Sequence, residues 1–192
     1  MFDDSRIVLS ARHLQLMEKS KALGFTMASD LYTGSLLRTI ASSKPGGHFL
    51  EIGTGTGLSL SFLVGGMDES SSVISIDNSE EFQQPAVEHF KDDKRISFFC
   101  GDGGEWIQNY KGKPFDLIFA DAWPGKFNLR NETIGLLVPG GFYIIDDLLP
   151  QPNWPEGHAA KVDVLIGEMQ NDPRLNITMI HWSTGICIAV RK

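Results

Sequence analysis

The chain has two cysteines in 192 residues, Cys100 and Cys187, too few for a disulfide framework or a thiolate zinc site. Each lies in an apolar run that reads as buried strand, so a reducing cytoplasm is the expected setting. No apolar run approaches the roughly 18 residues of a membrane-spanning helix. Met1-Phe2-Asp3-Asp4 has no basic stretch leading into an apolar one, as an export signal would. Basic charge is short as well: 17 Lys and Arg stand against 24 Asp and Glu, a formal net charge of −7. Nucleic-acid binders present a basic face to phosphates, so neither nucleic acid nor a membrane is an expected partner, whereas a small neutral or cationic molecule is. There is no internal repeat, linker or low-complexity segment. What is present is 42% hydrophobic residues, a tenth of the chain being aromatic, enough for a core. The expectation is a single domain over residues 1–192.

Glycine is plentiful, and three glycines are grouped in Phe49-Leu50-Glu51-Ile52-Gly53-Thr54-Gly55-Thr56-Gly57. A strand that ends in such a series can turn sharply and leave N–H groups facing a ligand, because glycine tolerates positive φ. The dinucleotide fingerprint G-x-G-x-x-G needs its third glycine at position 58, which is Leu58 here, so the spacing is wrong for NAD. Glu51 would repel a pyrophosphate and suit a cofactor that bears an ammonium and a sulfonium. S-adenosylmethionine is such a cofactor.

Apolar residues at Ile7, Leu14 and Met17, joined by Ala11 and Leu23, predict an amphipathic helix within Arg6–Leu23. A second helix is expected from Leu31 to Ser42, before Pro45-Gly46-Gly47. These N-terminal helices, within residues 1–45, are expected to cover the cofactor site, and residues 46–192 to form the core. From there strands alternate with helical segments: His48–Ile52, Ser72–Asp77, Ile96–Cys100, Phe115–Ala120 and Gly141–Ile145. Their short, continuous apolar runs are those of a parallel sheet covered on both faces. A helix from about Gly157 to Gln170 precedes Asn176–Trp182 and Gly185–Arg191, two strands around Ser183-Thr184 that read as a hairpin. The fold class is α/β: a three-layer sandwich with a doubly wound, mostly parallel seven-stranded sheet and a C-terminal antiparallel hairpin.

In such sheets ligands bind beyond the carboxyl ends of the strands. Acids occupy nearly all of these places: Glu51, then Asp77-Asn78, Asp102 between Gly101 and Gly103, Asp121, and Asp146-Asp147. Any one of them has a bland explanation as a helix N-cap or turn former. Five in series point to a shared site. Asp77, 24 residues past Gly53, falls where an acid that bonds ribose hydroxyls is expected, and Asp102 with Gly103 falls where an adenine amino group would lie.

In this order of motifs, residues 48–147 resemble the class I S-adenosylmethionine-dependent methyltransferases, whose fold is Rossmann-like. Phe119-Ala120-Asp121-Ala122-Trp123 with Ile144-Ile145-Asp146-Asp147 is similar to the catechol and caffeoyl-CoA O-methyltransferases. The segment from Thr26 through Gly34 and the terminal hairpin resemble that group too. The resemblance implies O-methylation of a hydroxylated small molecule and a homodimer. It implies that Met27 and Ser29 meet the methionine end of the cofactor. Glu51, Gly53, Gly55, Gly57 and Ser59 would line its amino-acid and ribose parts, Asp77 and Asn78 the ribose, and Asp102 and Gly103 the adenine. Asp121 would serve cofactor or substrate, and Trp123 would cover adenine or substrate.

The resemblance also implies a divalent metal, Mg²⁺ or a similar ion, on Asp121, Asp146 and Asp147, although Asp147 stands where the family has Asn. Hard oxygen donors suit such an ion. The competing arrangement is metal-free, with Asp121 serving cofactor or acceptor and Asp146 capping a helix; an N-methyltransferase of a small amine, or a cofactor-binding protein without turnover, would fit it. The family's basic lysine falls at Pro124, which takes no proton. Lys126 occupies the same space if the Pro124-Gly125 turn redirects the chain, and His158, past the proline-rich Trp154 loop, is the other candidate base.

Overall fold

The computed structural model describes residues 4–152 and 154–192. Seven strands form one sheet: β1 (His48–Ile52), β2 (Ser72–Asp77), β3 (Ile96–Cys100), β4 (Phe115–Ala120), β5 (Leu137–Ile145), β6 (Leu175–Ile180) and β7 (Ile186–Arg191). Their order is β3-β2-β1-β4-β5-β7-β6. The first five run parallel, and β7 is antiparallel to β5 on one side and to β6 on the other. The chain reverses direction across the sheet at β1/β4, which opens a crevice at the carboxyl ends of the strands.

The helices are α1 (Ala11–Ala22), α2 (Leu31–Ser42), α3 (Leu58–Gly66), α4 (Glu80–Phe90), α5 (Gly103–Asn109), α6 (Arg130–Gly135) and α7 (His158–Gln170). Among the described residues no helix is long and apolar enough to cross a membrane. One core joins the sheet to Leu16 of α1, Leu37 of α2, Leu60 of α3 and Phe90 of α4. The other joins its opposite face to Ile107 of α5, Ile134 of α6 and Leu165 of α7. Central strands buried on both faces must be apolar at successive positions, and the continuous runs of β1 and β4 follow from this.

Three expectations are corrected. The inner face of α1 is His13, Leu16 and Ser20, whereas Ala11, Leu14, Met17 and Leu23 face outward. Polar partners decide the rotation: His13 Nδ1 lies 2.6 Å from Ser61 Oγ on α3, and the Ser20 hydroxyl bonds Leu16 O and meets Thr56. Cys100 is exposed, because β3 is an edge strand with solvent at its end, while Cys187 is buried. Strand β5 starts at Leu137, opposite Phe115, rather than at Gly141, and its register against β4 shifts before Phe142 pairs with Leu117. Pro139 and Gly140 project outward within it, as Pro does at a bulge.

Candidate active site

The strand ends are knitted together by backbone bonds. Gly53 N and Thr54 N both donate to Ile76 O (2.8 and 3.0 Å), and Asp121 N donates to Ile52 O (2.9 Å). Gly53 has φ +105°, and a Cβ there would lie 2.8 Å from Asp121 O, so only glycine lets β1 turn this close to β4. Gly57 has φ +89° and would place a Cβ 2.6 Å from the Ala86 methyl of α4. This glycine serves packing between loop and helix.

These turns border a cavity of about 430 Å³. Met27, Ser29, Gly53, Gly55 and Ser59 stand on its wall, as do Asp77, Asn78, Asp102, Gly103, Asp121 and Trp123. Glu51 and Gly57 do not. Glu51 is wholly buried behind the wall, its oxygens accepting from Ser59 Oγ (2.6 Å) and Ser75 Oγ (2.5 Å). Burial, and secondarily Asp77, push its carboxyl up to about 7 against the pull of the two serines. A chain of donors leads into it: Gln83 Nε2 donates to Thr54 Oγ1, which lies 2.6 Å from Ser75 Oγ.

Asp77 ties the crevice together. Its Oδ2 accepts from Gly55 N (2.7 Å) and its Oδ1 from Ser79 N (2.9 Å). Asp102 caps α5, accepting from Glu105 N at 2.8 Å, so the bland reading holds for it while it also faces the cavity. The wall further includes residues that sequence reasoning missed, notably Phe25 and Phe82, whose rings are 5.0 Å apart. Phe82 was findable from its place in the first turn of α4, just past Asp77. Phe25, in an irregular segment, carried no comparable signal.

The turn after β4 winds on the Trp123 carbonyl, which accepts from Lys126 N (3.2 Å) and Phe127 N (2.9 Å). Gly125, at φ +78°, packs so close to Ile52 that a Cβ would lie 2.8 Å from its Cδ1. The Pro-Gly turn thus folds inward, and Lys126 is buried, with 4% exposed. Its ammonium favours the charged form of Asp121. Burial and then the charges of Asp146 and Asp147 oppose this and raise the Asp121 carboxyl well above the usual range. Ser29 Oγ donates to Asp121 Oδ2 at 3.1 Å. Asp146 is also buried and pushed up to about 6, by burial and then by Asp147, while the Thr184 hydroxyl bonded to its Oδ1 (2.5 Å) draws it down.

The three carboxylates therefore sense one another, but they do not make a ligand set. Among the described residues no group of three or more His, Cys, Asp or Glu side chains is placed to hold a metal ion. Asp146 Oδ1 is committed to Thr184 and to Asp147 N (2.8 Å), and the nearby cation is Lys126. As arranged, these residues do not fit a divalent ion.

His158 stands on the wall of neither this cavity nor the one beside α7. It packs against Trp154 (4.6 Å between ring centroids) and Phe127 (5.2 Å). Desolvation, then Lys126 and Lys161, lower its pKa. Asn153 of the neighbouring loop lies outside the described residues.

The sequence profile of a family described as O-methyltransferase matches residues 12–192. A Mycobacteroides abscessus protein named "Putative O-methyltransferase" is 31% identical over 170 residues, 82% of this chain and 78% of that one. A protein of the same name from Mycolicibacterium vanbaalenii is 30% identical over 117 residues, covering 58% of this chain but only 52%, about half, of its own length. Among solved structures, the O-methyltransferase from Bacillus cereus in complex with SAH superposes with a TM-score of 0.86, at 21% identity, over 98% of this chain and 94% of that one. That likeness establishes the shared fold.

Proposed function

The chain belongs to the O-methyltransferase family, and on that premise we propose that it methylates a hydroxyl of a small, catechol-like molecule with S-adenosylmethionine as donor. One observation carries the cofactor reading. The cavity wall bears three carboxylates, Asp77, Asp102 and Asp121, and no Lys, Arg or His. A pyrophosphate would meet repulsion there with no basic side chain to offset it, whereas a cationic, phosphate-free nucleoside finds complementary charge.

When bound, S-adenosylmethionine supplies an electrophilic methyl group on a positively charged sulfur. Asp77 keeps free lone pairs for ribose hydroxyls, since each of its oxygens accepts one backbone bond. Asp102 and Gly103 serve adenine, Asn78 the ribose, and Met27, Ser29 and Ser59 the methionine end. Glu51 acts through Ser59, holding that hydroxyl in place. Asp121 takes the acceptor's proton on Oδ1, the oxygen that Ser29 does not occupy, and burial raises its affinity for protons. The Lys126 ammonium stabilises the oxygen as negative charge develops on it. A buried cation there favours an oxygen acceptor over an alkylammonium, which it would repel. No step is assigned to a metal, because the carboxylates do not fit one as arranged. The single-domain reading over residues 1–192 is supported by two cores sharing one sheet.

Calorimetry with S-adenosylhomocysteine, followed by turnover of catechols and amines with and without EDTA, tests this reading. Binding, with catechol methylation that survives EDTA, is expected. Absence of binding sinks the cofactor assignment, and loss of activity in EDTA sinks the metal-free mechanism.

A further inference from the structure

Glu51 is wholly buried, and among the described residues no Lys, Arg or His is paired with it. What meets it instead is a row of bonds whose direction is fixed. Gln83 Nε2 reaches Phe99 O at 3.1 Å and Ser75 O at 3.4 Å, carbonyls that can only accept, which identifies it as the amide nitrogen. It donates to Thr54 Oγ1 (3.0 Å), so the Thr54 hydrogen turns to Ser75 Oγ (2.6 Å) and the Ser75 hydrogen to Glu51 Oε2 (2.5 Å). On the other side Ser59, on the cavity wall, donates to Oε1 (2.6 Å).

The row does not reverse at Ser75 without turning the Thr54 hydrogen away from its acceptor. A proton on Glu51 therefore sits on Oε1 and is given to Ser59, whose own hydrogen swings out toward the cavity. With Glu51 ionised, Ser59 offers the cavity only lone pairs; with Glu51 protonated, it offers a hydrogen. Burial holds that proton on up to about pH 7, so both forms are populated near neutrality.

Few charges reach Glu51 from the elements around it. Strand β2 brings Asp77, which helps to hold the proton on, while β4 sets Phe119 opposite. Helix α3 brings Ser59 and α4 Gln83, and His13 of α1 is committed to Ser61. Farther along the cavity Asp121 also binds protons more tightly than an ordinary carboxylate, so a test has to tell the two apart.

We propose that Glu51 is a positioning residue that sets the polarity of Ser59: Ser59 accepts a hydrogen bond from the ammonium of the methyl donor, and donor binding sends the Glu51 proton to solvent. An ammonium has hydrogens to give and no lone pair, and it draws the carboxylate behind Ser59 into its ionised form. The inference rests on the methyl-donor reading and adds to it which end of the donor Ser59 meets, and a proton linked to its binding.

Calorimetry of S-adenosylhomocysteine at pH 7 and pH 6, where the ligand's own amine stays charged, tests this. The wild-type protein is expected to bind about fourfold more weakly at pH 6 and to release roughly half a proton per ligand at pH 7, read from buffers of different ionisation enthalpy. 5′-Methylthioadenosine, which keeps the nucleoside and thioether but has no ammonium, should lose less than about 1.5-fold. Glu51→Gln should flatten the S-adenosylhomocysteine dependence toward that of 5′-methylthioadenosine. Ser59→Ala should do the same while keeping the carboxyl and its Ser75 bond, and it serves where Glu51→Gln does not fold. Equal pH dependence for the two ligands, or a dependence that survives both substitutions, overturns the coupling and leaves the donor reading intact. Affinity that rises on acidification puts the donor's carboxylate at Ser59 and overturns it as well. Absence of S-adenosylhomocysteine binding at both pH values overturns the donor reading and the coupling together.

Discussion

The hydroxyl of Ser59 donates to Oε1 of Glu51 at 2.6 Å, tying the wall of the donor cavity to a carboxylate hidden behind it. Ser75 holds the other oxygen, and Thr54 and Gln83 extend the chain. Every donor in this row can point toward Glu51, an arrangement suited to an ionised carboxylate. Burial opposes ionisation, and the outcome is a group poised near neutral pH.

That balance predicts a pH dependence of stability. Glu51 is raised from 4.5 to about 7, so the folded protein binds its proton more tightly than the unfolded chain does. Its contribution to stability is then full below pH 4.5, falls as pH rises through the window to about 7, and is level above. The fall is on the order of 3 kcal/mol, at about 1.4 kcal/mol per unit. Glu51→Gln should remove this part of the slope. Urea unfolding of both proteins at pH 5 and pH 8 measures it, and parallel slopes for the two would rule it out.

Lys126→Met should leave S-adenosylhomocysteine affinity within about twofold and lower kcat roughly 100-fold, the usual cost of removing one group that stabilises a developing oxyanion. Calorimetry and steady-state kinetics separate the two effects. An unchanged kcat would return Lys126 to a purely structural role.

Gly57→Ala adds a methyl group 2.6 Å from that of Ala86, at φ +89°. A loss of about 2 kcal/mol is expected, from strain at positive φ and from overpacking. Combining it with Ala86→Gly should recover only the overpacking part, because the backbone strain remains. Thermal or urea denaturation of the single and double variants checks this. Full recovery would mean that the left-handed backbone carries no cost.

The sequence made the sheet readable, since strands buried on both faces leave continuous apolar runs. His48–Ile52, Ser72–Asp77, Ile96–Cys100 and Phe115–Ala120 begin and end where the pattern puts them. The row of acids was readable for a related reason: residues following parallel strands share one edge of the sheet, so their order along the chain already implies a common crevice. Asp77, Asp102 and Asp121 meet there.

What the sequence left undecided depends on partners distant along the chain. Hydrophobicity alone turned α1 the wrong way, because its inner face is chosen by His13 meeting Ser61 and Ser20 meeting Thr56. Glu51 was legible as an acid beside the glycines, but its withdrawal behind Ser59 depends on Ser75, 24 residues away on the adjacent strand. Lys126 was one of two candidate bases until the turn on Trp123 buried it near Asp121 and left His158 behind the aromatic rings. Local pattern sets which residues are strand, helix and turn, because backbone periodicity is a property of neighbours. Which side chains are desolvated, paired or left charged was decided only when the tertiary structure set those strand ends, α1 and the Trp123 turn against one another.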